Sequence, residues 1–160
     1  MSTSRPVRTY ATGAVTRALR VLGVLCALGV TAWILRRFPD LPATVPTHLD
    51  ASGTPDAWGG RASVLVLAGV MLLLVVGIAA LSTRPRALNY PLEVTEDSAQ
   101  TVYREGERML VWTLLGLDAI YLGVARSVIE GGGGPTIMVG LMVLAGVVIV
   151  GIVRLVRAGR

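Results

Sequence analysis

Four nearly unbroken apolar runs constrain this chain more than any other feature. They cover residues 18–35, 64–81, 109–129 and 137–153. Each is about 17–21 residues long, which at 1.5 Å rise per residue suits a hydrocarbon core of about 30 Å. A helix of a soluble bundle needs a polar stripe for water, and these runs are apolar all round. The whole chain agrees: 53% of its 160 residues are hydrophobic and only 16% charged, with a mean hydropathy of +0.67. The sequence therefore predicts an all-α protein of four transmembrane helices.

Charge then sets an orientation. Every basic residue is an arginine, and the fifteen arginines alternate in number from segment to segment. Arg5, Arg8, Arg17 and Arg20 precede or open the first run, and Arg84, Arg86, Arg104 and Arg108 fill the second loop. Arg154, Arg157 and Arg160 follow the last run, against Arg36, Arg37, Arg61 and Arg126 on the other side. The positive-inside bias puts the eleven in the cytoplasm and the four outside. A net charge of +5 so distributed fixes topology and touches anionic headgroups; it does not form a nucleic-acid surface. The first run is too long for a signal-peptide core and ends at Ile34-Leu35-Arg36-Arg37 with no small-residue cleavage motif, so it reads as a retained span. Cys26, the one cysteine, has no internal disulfide partner.

These assignments divide the chain into a cytoplasmic tail at 1–17, polar and expected to be disordered over 1–13, and a core at 18–129. An external turn and fourth span follow at 130–153, then a cytoplasmic tail at 154–160. Within the core, the external loop 36–63 carries Pro39, Pro42, Pro46 and Pro55. Prolines fix φ and remove backbone donors, so this segment is expected to be neither an ordinary helix nor a central strand. The second loop, 82–108, begins irregularly around Pro85 and Pro91. From Thr95 the apolar positions Ala99, Val102, Tyr103, Gly106 and Met109 recur at helical spacing, with Glu96, Asp97, Arg104, Glu105, Glu107 and Arg108 between them. That pattern predicts an amphipathic cytoplasmic helix capped by Thr95 and running unbroken into the third span. Gly131 to Gly134 with Pro135 lack the lysine and serine of a phosphate loop and read as a flexible external turn.

Two places hold chemistry. Asp118 lies near the middle of the third span, where a carboxylate is costly and is expected to face the bundle. No cation shares its depth, and Cys26 and Tyr121 are the nearest polar or polarisable groups along the spans. It either joins helices by a hydrogen bond to a backbone carbonyl or Tyr121, or carries a proton- or substrate-linked role. In the external loop, His48, Asp50 and Asp56 are conceivable metal ligands. With no second histidine or cysteine in the loop, hydrogen bonds of the turn type are the favoured reading, and no metal or other cofactor is expected. Trp33, Trp58 and Trp112 read as interfacial anchors. No nucleophile–base pair or oxyanion site is evident, so the chain is not expected to be an enzyme.

The ordered loop residues Leu41-Pro42, Val45-Pro46-Thr47-His48, Gly53, Pro55, Asp56, Trp58, Gly59 and Arg61 resemble the DUF1648 domain of bacterial membrane proteins, a group that includes the SdpI-type immunity proteins. Asn89 to Glu96, with Tyr103 and Arg104, resemble the second half of small members. Leu49 stands where members usually have an aromatic, and Ala57 where glycine is frequent. The resemblance implies a multi-pass protein of the bacterial plasma membrane whose external loop is a recognition or structural cap. It further implies a role in peptide-toxin immunity or envelope-stress sensing, with a peptide, another membrane protein or a second copy of the chain as partner beside the lipid bilayer. The alternative from another class is a small permease, or an accessory subunit of one, that uses Asp118 in the bundle.

Overall fold

A computed structural model describes residues 5–50 and 53–159. Residues 1–4 of the expected tail, Ala51 and Ser52 of the loop expected outside, and Arg160 lie outside the described residues. Four long helices dominate: α1 (Ala14–Arg37), α2 (Ala62–Ser82), α3 (Ala99–Glu130) and α4 (Gly134–Ala158). All four are long and apolar enough to cross a membrane. Pro39 removes the amide that would continue the α1 ladder, and the chain tightens into a 3-10 turn over Phe38–Asp40. α3 ends where Gly131 takes a left-handed φ of 74°, a conformation that glycine adopts without a Cβ clash. Pro135 then opens α4 in the first turn, where its missing N–H costs nothing.

α3 is the axis of the bundle. It packs against α1, α2 and α4, and α1 also packs against α2. Its buried stripe runs Tyr103, Glu107, Val111, Leu114, Asp118, Tyr121 and Ala125, stepping three or four residues at a time as one face of a helix must. α4 lies close along α3: a Cβ on Gly140 would stand 2.7 Å from the Ile120 amide nitrogen, and one on Gly123 2.7 Å from that of Ile137. Small residues permit such close approach, which favours helix pairing in lipid, where the hydrophobic effect does not hold helices together. The outer faces remain apolar and exposed, as Leu73, Met142 and Ile149 illustrate.

Three features add to or revise the sequence reading. The loop between α1 and α2 contains a two-stranded antiparallel hairpin, β1 (Thr44–Leu49) and β2 (Pro55–Gly60). Its prolines are tolerated because each strand has a free edge and neither is central. The described helix α3 starts at Ala99, four residues beyond the expected cap. Thr95 still receives the Ala99 amide on its carbonyl at 2.9 Å, and Thr95 and Ser98 exchange side-chain and backbone bonds of 3.2 and 3.3 Å, the reciprocal pattern of a capping box. Residues 5–13, expected to be disordered, lie ordered along the start of α3. Gln100 accepts from the Thr9 amide and donates to the Val7 carbonyl, each at 2.8 Å, and Tyr103 donates to the Pro6 carbonyl at 3.0 Å.

Candidate functional site

The hairpin is rooted in the helices below it. Leu41 and Val45 are buried with Ile34, Val64, Ala68, Tyr121 and Ala125 in one apolar cluster. Arg61, at the far end of β2, donates toward the Pro39 and Leu41 carbonyls at 3.4 and 3.3 Å and lies 5.3 Å from the centre of the Phe38 ring. Its backbone amide donates to Ala43 at 3.0 Å. One arginine thus closes the base of the loop through charge-assisted bonds and a cation–π contact.

The register explains most of the ordered loop residues. Pro46 faces Trp58, Val45 faces Gly59, and Leu49 faces Pro55. Irregularities on either side of His48 leave Thr47 and Asp56 without a partner across the ladder. Gly59 is required by packing, since a Cβ there would stand 2.7 Å from Thr47 Cγ2. The turn is closed by Asp50, whose Oδ1 accepts the Thr54 amide and whose carbonyl accepts that of Gly53, both at 2.9 Å. Gly53 sits there at φ 82°, a left-handed position. His48 Nδ1 and Asp56 Oδ1 pair at 2.5 Å across the strands with both side chains largely exposed. Asp50 is occupied with its own turn, and no group of three metal-ligating side chains exists among the described residues. Trp58 projects outward, 60% exposed, and Pro42 is exposed just before β1.

Beneath the hairpin is a cavity of about 590 Å³. β1 and the turn form its roof, and the ends of α2, α3 and α4 its walls, with Leu67, Val128, Ile137 and Leu141 supplying apolar surface. Pro46, His48, Asp50 and Ser127 also line it. Concave, largely apolar space with a few polar groups is the usual form of a binding site.

Asp118 and Tyr121, the intramembrane polar pair, are not joined to each other. Tyr121 donates to Thr31 Oγ1 at 2.9 Å, and Thr31 passes its own hydrogen to the Ala27 carbonyl at 2.8 Å. Asp118 faces the bundle as expected, 8% exposed. Among the described residues, neither of its buried carboxylate oxygens has a hydrogen-bond partner, so the bond to Tyr121 or to a backbone carbonyl is not formed. Gly23 makes room for it: a Cβ there would approach Asp118 Oδ2 to 3.0 Å and collide with Leu114.

The polar site that sequence reasoning missed is Glu107. The amphipathic pattern puts it among the polar positions of the helix, yet it is 1% exposed. Its Oε1 accepts from Thr12 at 2.7 Å and pairs with the Arg20 guanidinium. Oε2 accepts from Tyr10 at 2.9 Å and lies 3.5 Å from Arg8. Burial, and after it the hydrogen bond to the Glu107 carboxylate, push the Tyr10 hydroxyl well above the usual tyrosine range. The available sequence signal was spacing. Glu107 is four residues from both Tyr103 and Val111, and so lies on the buried stripe of α3.

Residues 24–73 match the family model of DUF1648, a domain of unknown function. That stretch runs from the middle of α1 through the hairpin and cavity roof into α2, so the chain carries this domain around its loop motif. Asn89 to Glu96, Tyr103 and Arg104 lie outside the matched residues. No curated protein and no solved structure matches the chain.

Proposed function

We propose that this DUF1648-bearing membrane protein is a non-enzymatic recognition protein of the bacterial plasma membrane. It faces outward with the hairpin and keeps both termini of the chain in the cytoplasm. Its work is done by the cavity under the hairpin, which takes an apolar segment of a peptide or of another membrane protein. The likeness of the loop to the SdpI-type group gives that recognition a context, peptide-toxin immunity or envelope-stress sensing. The observation that carries the reading is the cavity of about 590 Å³ roofed by the matched hairpin. A pocket of that volume accommodates a few apolar side chains.

Filling the cavity tests it. Leu141→Trp is expected to abolish protection of cells against a membrane-active peptide toxin, or induction of an envelope-stress reporter, without lowering expression. Asp118→Asn is expected to leave either response intact. If Leu141→Trp preserves the response, recognition does not pass through the cavity. Orientation is tested in a Cys26→Ala background with an impermeant thiol reagent. A cysteine replacing Ala57 is expected to label from outside, and one replacing Glu96 only after permeabilisation.

The unpartnered oxygens of Asp118 support a second reading, a small permease or its accessory subunit. A buried intramembrane carboxylate left without a bond is the kind of group that transporters use to bind a proton or a cation. Under this reading Asp118→Asn abolishes pH-dependent flux while Leu141→Trp spares it, the opposite of the pattern expected above.

A further inference from the structure

At the other end of the α3–α4 pair is a second groove, of about 450 Å³. Its walls divide by polarity along their length. Trp112, Val143, Val147 and Val150 make an apolar trough, and Gly146 leaves it open, since a Cβ there would meet nothing within 4 Å. Arg108 and Arg154 stand at the end nearest the segment that precedes α1. Between Val143 and Arg154 the helix rises about 16 Å, so the trough runs into the hydrocarbon layer while the guanidiniums stay at the headgroup level.

The charges there are unequal. Glu105 Oε1 holds Arg108 at 2.6 Å, while Arg154 is 3.9 Å from Oε2 with its side chain 59% exposed. Two guanidiniums against one carboxylate leave one positive charge in surplus, on the arginine that is loosely held. An amphiphile with one anionic head and an extended acyl chain matches both halves of this groove. A zwitterionic lipid matches only the trough, and a soluble anion only the arginines. A second copy of the chain would cover the apolar wall without answering the charge. We propose that the groove is a binding site for one anionic glycerophospholipid, its phosphate on Arg154 and Arg108 and one acyl chain along Trp112, Val147 and Val150. The site differs from the recognition cavity in position, chemistry and ligand.

Native mass spectrometry of the full chain in detergent tests this, with added phosphatidylglycerol, phosphatidylcholine or glycerol phosphate. Phosphatidylglycerol is expected to be retained as a single tight adduct over phosphatidylcholine. Arg154→Gln should weaken that retention about fivefold, the scale of one basic residue at an anionic lipid surface. Gly146→Leu fills open space and should weaken it while leaving the fold intact. Glu105→Gln removes the competing carboxylate and should strengthen it, an opposite sign that separates site chemistry from loss of structure. Equal retention of the two lipids, or indifference to both Arg154→Gln and Gly146→Leu, overturns the proposal. So does glycerol phosphate binding as tightly as the whole lipid. A dimer that Gly146→Leu dissociates would give the groove to a second copy and also overturn it.

Discussion

The two ends of this bundle are fastened in opposite ways. At the hairpin end, shape comes from a left-handed glycine, a turn closed by Asp50, and one arginine that bonds backbone carbonyls across the loop base. The hydrogen-bonded pair there, His48 with Asp56, is exposed to water. At the other end, one buried carboxylate, Glu107, gathers Arg8, Tyr10, Thr12 and Arg20 from a segment about ninety positions away in sequence. Exposed ion pairs contribute little, whereas a buried pair deprived of one partner leaves an uncompensated charge. The motif-rich end should therefore tolerate loss of its exposed His48–Asp56 pair and be intolerant of backbone changes. The end without a motif has the reverse sensitivity.

The largest effect should therefore come from Glu107. Glu107→Ala leaves Arg20 and Arg8 facing a buried void and is expected to cost about 3–5 kcal/mol, read as a large fall in melting temperature in detergent with release of residues 5–13 to proteolysis. A fall no greater than that of a hairpin variant would erase the contrast. Gly53→Ala should come next, at about 1–2 kcal/mol for a left-handed non-glycine residue. A Cβ there would also stand 2.8 Å from Gly134 Cα, so the loss should be concentrated in hydrogen exchange of the hairpin and the start of α4.

Tyr10→Phe removes one bond to Glu107 and should cost about 1 kcal/mol. Tyr10 also gives the contrast a pH dependence. Its hydroxyl is raised above its ordinary value by burial and by Glu107, so its contribution is complete below about pH 10 and is lost as pH climbs through the folded value. Tyr90, buried beside Tyr103, is raised as well and adds the same sign. Melting temperature should thus fall on the alkaline side, and Tyr10→Phe should reduce that slope without abolishing it. An unchanged slope in Tyr10→Phe would detach the effect from this cluster. The smallest change is expected from His48→Ala, under about 1 kcal/mol for an exposed pair, with thermal stability indifferent to chelators. A stoichiometric bound metal lost in that variant would show that the hairpin end has a stabilising charge centre after all.

The same comparison explains what the sequence made legible. The helices could be read because apolarity that continues around a whole helix has few other meanings. Asp118 could be placed because a lone carboxylate inside such a run must turn inward. The hairpin strands were hidden: Pro46 and Pro55 interrupt the alternation that marks a strand, and the ladder skips a residue on each side of His48. Glu107 was hidden for a different reason. With Glu105 and Arg108 beside it, its neighbourhood reads as a solvated face, and its partners are remote in sequence. The order of residues 5–13 went with it, because a polar segment looks unattached until its buried carboxylate is found.

The contact of Gly53 with Gly134 makes the hairpin something other than a lid hinged on its own two helices. The strands spring from α1 and α2, yet their tip rests on the first residue of α4, a helix that otherwise leans on α3. The tip and the upper wall of the cavity therefore share one backbone contact. Displacing the start of α4 would therefore withdraw the ledge under the tip. The hairpin tip and the start of α4 are thus joined by backbone rather than by side chains.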